Sequence, residues 1–354
     1  MHGNRTMAPE WHNIDAVMLA WPHAQTDWAP WLENARATYL NVIAAVNRND
    51  AGVILLCAPS DVDDLNSRLP ENARVLIVPA SFNDTWMRDY GFITCKDSEG
   101  NGSPVEFRFN GWGNKFNAAE DNLANQRYLA SMCKSVLRSS PIVAEGGALE
   151  IDEDGHLLST AQCLLNPERN GDMSLSAYED AFKDMLGCSK VTILQHGHLE
   201  GDDTDGHIDT LVRFTPNKGL VIQACNNRPN DSHFEGLKAL CDECALELPE
   251  HEQFHLPLPN IVNNEGDRLP ASYANYLICN NAILLPVYGE EEDAEAIETV
   301  QRAHPNHIVE PIDCSVLVRQ YGSLHCISMQ VPRNTLKDSI ITTLKKGVSL
   351  HAPS

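Results

Sequence analysis

The sequence lacks a long hydrophobic run, and it is short of positive charge. No apolar stretch approaches the roughly 18 residues that a membrane-spanning helix needs, and the run at residues 14–21 is short and contains Asp15, so we expect neither a membrane segment nor a signal peptide. Lysine and arginine together number 26 against 49 acidic residues, which gives a formal net charge of -23. Such a charge repels polyanions. It argues against nucleic acid or an anionic membrane as a partner and is compatible with a small cationic ligand.

A disulfide framework is also missing. The 11 cysteines form an odd, scattered set, which favours reduced thiols and a cytoplasmic location. Cys241 and Cys244 make a CxxC motif that has no second pair to complete a zinc site. We therefore expect most of the cysteines to be small core residues, and we expect no metal or other cofactor.

Short apolar, β-branched runs alternate with amphipathic stretches along the chain. Strand-like runs cover 53–56, 75–78, 191–194, 220–222, 276–279 and 282–286, and Asn280-Asn281 between the last two predicts a tight hairpin. Helical spacing is found near 30–48, 119–138, 174–186, 232–246, 292–304 and 334–346. The alternation indicates an α/β protein. Because no low-complexity linker interrupts it, we expect a single catalytic domain over residues 1–354.

The densest polar cluster lies in residues 196–209, which contain three histidines and several acids. Such a mixture can bind zinc, although the HExxH spacing is absent. The alternative is an acid/base histidine beside a carboxylate. If the segment is a strand that continues through 211–214, His207 and Asp209 face the same pocket. We rank Asp203 and Asp205 below Asp209 as substrate ligands.

Three further positions carry charged or reactive groups next to glycine, tryptophan or histidine. Asp89 lies in Trp86-Met-Arg-Asp-Tyr-Gly, where a neighbouring Arg-Asp pair is usually exposed. Glu145 precedes two glycines, which suits a ligand site and equally a plain turn. Cys326 follows His325, in a setting typical of a nucleophile or of a core cysteine. All these clusters recur at intervals of about 60 residues or twice that, which indicates similar supersecondary units.

The order of these segments resembles the agmatine deiminase family, in the peptidyl-arginine-deiminase-like group of guanidino-modifying enzymes. The shared motifs, in chain order, are Trp21-Pro-His, Trp86-x-Arg-Asp-Tyr-Gly, Phe109-Asn-Gly-Trp-Gly-x-Lys, Glu145-Gly-Gly, Cys163-Leu-Leu-Asn-Pro, Asp205-Gly-His-Ile-Asp and His325-Cys. The resemblance covers about residues 8–333. It implies a five-bladed, pseudo-symmetric α/β propeller (pentein) of ββαβ units, which agrees with the period of about 60 residues.

The resemblance also implies a mechanism. Cys326 would attack the guanidinium carbon and form a covalent thiouronium. His207, oriented by Glu145, would protonate the departing ammonia and then activate water. The expected reaction converts agmatine and water to N-carbamoylputrescine and ammonia, a step toward putrescine in polyamine metabolism. Peptidyl-arginine or free arginine is the alternative substrate. A zinc-dependent hydrolase and an inactive binding module are the alternatives from other classes.

Four side chains are assigned to substrate binding by the same resemblance. Asp89 and Asp209 would hold the guanidinium nitrogens, and Trp86 or Trp112 would lie against the cation. Three departures from the family pattern leave the substrate's far end open. Phe92 stands where many relatives have proline, residues 320–324 are less glycine-rich than expected, and the segment after His207-Ile-Asp is unlike that of typical agmatine deiminases. An acidic enzyme of this size is commonly a dimer or tetramer, so the sequence is compatible with a homo-oligomer.

Overall fold

The computed structural model describes residues 5–351, and they form an α/β protein as predicted. The strands are β1 (Arg5–Met7), β2 (Ile14–Ala20), β3 (Gly52–Cys57), β4 (Val75–Pro79), β5 (Ile93–Asp97), β6 (Gly102–Arg108), β7 (Arg138–Val143), β8 (Glu150–Ile151), β9 (His156–Thr160), β10 (Lys190–Leu194), β11 (Val212–Phe214), β12 (Gly219–Gln223), β13 (Glu252–Leu256), β14 (Leu277–Cys279), β15 (Ala282–Val287), β16 (Ile308–Asp313), β17 (Met329–Pro332) and β18 (Ser349–Leu350). The α-helices are α1 (Leu32–Arg48), α2 (Val62–Arg68), α3 (Met87–Tyr90), α4 (Gly111–Asn114), α5 (Ala161–Leu164), α6 (Pro167–Asn170), α7 (Leu175–Leu186), α8 (Phe234–Glu247), α9 (Asp293–Ala303) and α10 (Asp338–Leu344).

The chain divides into two compact units. Among the described residues, the first comprises 5–146, Met185–Gly187 and 326–351. The second comprises Gly147–Asp184 and Cys188–His325. His325 and Cys326 are adjacent in sequence and belong to different units.

Within residues 5–351, two sheets build the first unit. One has the order β17-β2-β3-β4-β18, in which β2, β3 and β4 are parallel and β17 is antiparallel to β2. All six residues of β3 are buried, as expected for a central parallel strand, and α1 packs Tyr39, Val42 and Val46 inward. The other sheet has the order β1-β5-β6-β7, with β5 antiparallel to β6 and β6 parallel to β7.

The second unit, over its described residues, contains three three-stranded sheets with the orders β10-β9-β8, β11-β12-β13 and β14-β15-β16. In each sheet the first two strands in the chain are antiparallel, and the third lies parallel to the second. A helical connection joins the second strand to the third. The predicted hairpin is confirmed, because Cys279 pairs with Ala282 and Asn280 adopts a φ of 52°. Asparagine tolerates this left-handed conformation better than most residues.

Five of the six predicted helices are confirmed, and the helix predicted over 119–138 is wrong. The segment contains a 3₁₀ turn (Asp121–Leu123), a π-helical turn (Asn125–Leu129) and a second 3₁₀ turn (Ala130–Met132) before β7 begins. The buried Asn125 side chain accepts a hydrogen bond from the Phe92 N–H at 2.9 Å and donates to the Tyr90 carbonyl at 2.7 Å. These tertiary contacts hold the segment in an irregular helical path.

The cysteines have the structural role that the sequence predicts. All eleven fall within the described residues, and all are free and buried. Burial raises the pKa of Cys241 to about 11 and that of Cys244 to about 12, which disfavours the reactive thiolate form of the CxxC pair in α8. Among the helices of residues 5–351, none combines the length and the apolar content required to cross a bilayer.

Candidate active site

In the first unit, three of the predicted site residues lie on segments that meet at Arg88. The Arg88 N–H donates to the carbonyl of Cys326 at 3.1 Å. The Arg88 carbonyl approaches Gly146 so closely that a Cβ at that position would lie 2.2 Å from its oxygen, so the residue after Glu145 must be glycine. Asp89 is the next residue of α3. The backbone of α3 therefore adjoins both the Cys326 turn and the Glu145 segment.

The buried side chain of Arg88 also links α3 to the segment that follows Cys326. The sequence alone suggests that Arg88 and Asp89 form an exposed ion pair, but Arg88 is only 3% exposed. Its guanidinium donates to Glu10 at 3.0 Å and to Gln330 at 2.5 Å, and Gln330 in turn donates to Glu10 at 2.9 Å. The closed triangle ties α3 to β17, the strand that follows Cys326.

Asp89 is buried and is held by Trp112. Its Oδ2 accepts a hydrogen bond from the indole Nε1–H at 2.9 Å. Trp112 lies in α4, a left-handed turn in which residues 111–114 have φ values of 69°, 55°, 80° and 62°. A Cβ on Gly111 would lie 2.2 Å from the Phe116 carbonyl oxygen, so this turn requires glycine. Edge-on contacts with Phe109 and Phe116, at centroid distances of 5.1 and 5.6 Å, hold the indole in place.

The remaining predicted residues of the first unit are also buried. Trp86, immediately before α3, packs its ring against Trp28 at a centroid distance of 5.7 Å. Glu145 has no exposed surface, and Cys326 is 8% exposed in the turn that leads into β17.

In the second unit, His207 precedes a turn and Asp209 lies within it, so the prediction that they share a strand face is wrong. Ile208–Thr210 forms a 3₁₀ turn, and β11 begins only at Val212. Just upstream, Asp205 and Gly206 have positive φ values, so no strand runs through those two residues either. His207 and Asp209 are nevertheless buried, with exposures of 1% and 0%.

Asp209 is a fully buried carboxyl group whose pKa is lowered by its neighbours. Burial alone would raise its pKa, but the hydrogen bond from His325 Nδ1 at 2.7 Å and the charge of Arg213 lower the pKa below its usual value. Cys163, which belongs to one of the quoted motifs, lies on α5 with its Sγ within 4.8 Å of a His207 ring nitrogen. Asp209 and His207 are therefore fixed by neighbours from different parts of the second unit.

The rest of the 196–209 segment has structural partners or faces solvent. Asp205, whose role the sequence leaves open, accepts a hydrogen bond from Arg169 at 2.7 Å. His196 and His198 are exposed. Among the described residues, neither belongs to a group of three His, Cys, Asp or Glu side chains close enough to share a cation. His196 and His198 therefore give no support to the zinc-hydrolase alternative.

Sequence reasoning missed a buried ion pair beside this site. Arg213 on β11 and Glu150 on β8 are 0% and 2% exposed, and Arg213 Nε donates to the Glu150 carboxylate at 2.9 Å. The signal was present, since Arg213 interrupts the apolar run 211–214. A charge inside a buried strand is rare without a partner.

Comparison with known proteins places the chain in a family. Residues 6–332 match the family described as Porphyromonas-type peptidyl-arginine deiminase. A Mycoplasma mycoides protein named "Putative agmatine deiminase" is 30% identical over 351 residues, which cover 92% of this chain and 95% of that protein.

Two solved structures extend the comparison to the fold. An agmatine deiminase of C. jejuni with substrate bound is 31% identical with a TM-score of 0.86, covering 94% of this chain and 97% of that chain. A structure from Porphyromonas gingivalis named "Putative Arginine Deiminase" is 38% identical with a TM-score of 0.87, covering 94% and 100%. These likenesses confirm the resemblance drawn from the sequence motifs. The chain belongs to the Porphyromonas-type peptidyl-arginine deiminase family.

Proposed function

We propose that this protein is a guanidine deiminase that hydrolyses agmatine to N-carbamoylputrescine and ammonia. The observation that carries the proposal is Asp209, a carboxylate with no exposed surface whose pKa is held below its usual value. A buried anion of this kind suits a planar cation with several N–H donors, which a guanidinium provides. Asp89, buried and held by Trp112, is a second carboxylate of the same character.

The proposed chemistry needs a nucleophile and a group that moves one proton twice. The Cys326 thiolate attacks the central guanidinium carbon, and His207 protonates the amino group that leaves as ammonia. Water then attacks the thiouronium carbon and His207 accepts one of its protons. The resulting adduct loses its hydroxyl proton to solvent as the C–S bond breaks, which forms the ureido carbonyl and restores the thiolate. Glu145 orients His207. Because the surroundings are acidic, the bound cationic substrate favours the thiolate.

Agmatine is preferred as the substrate for reasons of charge. It has no α-carboxylate that would need a cationic partner, and its distal amine is attracted by a chain of net charge -23. The relatives named agmatine deiminase support this choice. The P. gingivalis structure, named for arginine and 38% identical, makes arginine or peptidyl-arginine the second candidate.

The test is ammonia and ureido-product release from agmatine, arginine and a peptidyl-arginine, each with and without EDTA. We expect agmatine to be turned over, EDTA to have no effect, and Cys326→Ala to be inactive. Cys57→Ala is the matched control, because burial raises the pKa of that thiol to about 12 and it should stay inert. Turnover of arginine without turnover of agmatine would show that the substrate is arginine. Full activity in Cys326→Ala would refute the mechanism.

We also propose that the five sheets of the described residues are the blades of a pseudo-symmetric propeller. Each sheet contains an antiparallel pair followed by a parallel strand, and the second and third strands are joined through helical turns. This is the ββαβ order, and in the first sheet β17 supplies the initial strand from the far end of the chain. A crystal structure in which the five units superpose by successive rotations of one fifth of a turn would establish the arrangement.

A cytoplasmic location and a homo-oligomeric state complete the proposal. Eleven free cysteines within the described residues support a reducing compartment. Fractionation of the producing cells and light scattering on the purified protein test the two statements separately.

A further inference from the structure

Arg213 is a completely buried charge whose hydrogen-bond donors are directed at fixed partners. Its Nε donates to Glu150 at 2.9 Å, and its Nη1 donates to the carbonyls of Ala274 and Tyr276 at 2.9 and 2.8 Å. The guanidinium carbon lies 4.5 Å from the centroid of the Tyr276 ring. The remaining nitrogen, Nη2, lies 3.3 Å from Nε2 of His325.

The contact with Arg213 determines which ring nitrogen of His325 carries the proton. A guanidinium has only donors, so His325 Nε2 must accept. A neutral imidazole with an accepting Nε2 carries its hydrogen on Nδ1. That nitrogen lies 2.7 Å from Asp209 Oδ2 and therefore donates to the carboxylate. The chain of bonds runs from Arg213 through His325 to Asp209, and every member is 0% exposed.

Other protonation states of His325 conflict with the surrounding charges. Asp209, with His207 close to it, lies on one side of the imidazole, and Arg213 with Glu150 behind it lies on the other. An imidazolium would place a second cation against Arg213. In the Nε2–H tautomer, the ring N–H of His325 would face the N–H donor of Arg213. Nδ1 would then carry no hydrogen, and the hydrogen bond from His325 to Asp209 would be lost.

The buried ion pair between Arg213 and Glu150 is better explained by its effect on the orientation of His325 than by a gain in the free energy of unfolding. Burying both charges costs several kcal/mol of desolvation per ion, which their attraction and hydrogen bonds only offset. Glu150 is itself held, since its other oxygen accepts from the Phe214 N–H at 3.0 Å. The backbone N–H of His325 donates to the side-chain oxygen of Asn275 at 3.0 Å. The ring of His325 therefore has a fixed backbone and a fixed partner.

We propose that Arg213 is a positioning residue that keeps His325 in the neutral Nδ1–H form, so that His325 presents Asp209 to the guanidinium as an oriented, ionised carboxylate. The part concerning the guanidinium rests on the proposed function. The part concerning His325 does not, because the proton position can be measured without substrate.

The decisive measurement is the ¹⁵N NMR spectrum of protein labelled selectively in its histidines. The signals of His325 are assigned by their loss in His325→Asn. In the unsubstituted protein we expect a neutral Nδ1–H imidazole that does not titrate between about pH 5 and 8. An imidazolium or an Nε2–H tautomer in that range would overturn the proposal; the protonation state is read from the unsubstituted protein, and His325→Asn serves only to assign the signals.

Substitutions then test the role of Arg213. Arg213→Lys keeps the charge but loses the planar fork, and the double variant Arg213→Met with Glu150→Gln removes both charges together. In either variant we expect His325 to titrate or to change tautomer, and kcat/KM for agmatine to fall by up to about 10²-fold, mainly through KM. Arg268→Lys is the matched control, since Arg268 pairs with Asp231 at 3.0 Å.

Activity in His325→Asn separates positioning from simple damage. The Asn amide can still donate to Asp209, so this variant should retain more activity than His325→Leu. An unchanged His325 spectrum in the folded Arg213 variants would refute the role of Arg213. Inactivity of the unsubstituted protein toward every guanidine, with the expected spectrum intact, would refute the proposed function alone.

Discussion

Replacing Trp112 by phenylalanine removes one hydrogen-bond donor from Asp89 and changes little else. The aromatic ring keeps its packing against Phe109 and Phe116, while the N–H that lies 2.9 Å from Asp89 Oδ2 is lost. A hydrogen bond to a charged acceptor contributes about 1.5–3 kcal/mol, and each 1.36 kcal/mol corresponds to about a factor of ten. If this bond orients Asp89 for the guanidinium, kcat/KM for agmatine should fall by about 10- to 100-fold, mostly through KM.

The assay is steady-state ammonia release from agmatine, with urea unfolding measured in parallel. Trp28→Phe is the matched control, because it also removes a buried indole donor, here to the Thr85 hydroxyl at 2.8 Å. We expect both variants to lose some free energy of unfolding and only Trp112→Phe to lose the larger part of its kcat/KM. A value within about twofold of the unsubstituted enzyme in Trp112→Phe would refute the role given to the indole.

Two further predictions concern the first unit. Burial raises the pKa of Asp121 to about 8, so the folded state retains a proton that the unfolded chain releases near its usual pKa of 3.8. The free energy of unfolding should therefore fall as pH rises between these values, and Asp121→Asn should flatten that fall in urea titrations; an unchanged slope would contradict the assignment. Gly111→Ala should cost about 3 kcal/mol or more, because its Cβ would meet the Phe116 carbonyl at 2.2 Å, whereas Gly100→Ala, also at positive φ but in open space, should cost about 1 kcal/mol. If urea unfolding gave the same loss of free energy of unfolding for both variants, the backbone near Phe116 would have moved to relieve the contact.

Much of the α/β architecture could be predicted because it depends on neighbours in sequence. The apolar run of β3 and the 3.6-residue spacing of α9 each specify a buried face without reference to the rest of the chain. The Asn280-Asn281 turn is local in the same sense. The site residues were selected by motif order, and the structure shows that Asp89, Glu145, His207, Asp209 and Cys326 are all buried.

The helix over 119–138 and the strand at 207–209 failed for a common reason. Each segment contains polar side chains or positive-φ residues whose partners lie elsewhere, and those partners override the local pattern. Phe92 illustrates the point. The sequence marks it only as a departure from the family proline, whereas the structure shows that its N–H, which proline lacks, binds Asn125.

By itself the sequence determined the α/β class, the hairpin, the burial of most cysteines and the family, because spacing, β-branching and motif order are properties of the linear chain. Only the tertiary structure decided which buried polar groups become partners. His325 and Asp209 are 116 residues apart, and Arg213 and His325 are 112 apart, yet each pair is in hydrogen-bond contact. A charged group in an apolar environment must find a partner wherever the fold supplies one, and no local pattern in the sequence identifies that partner.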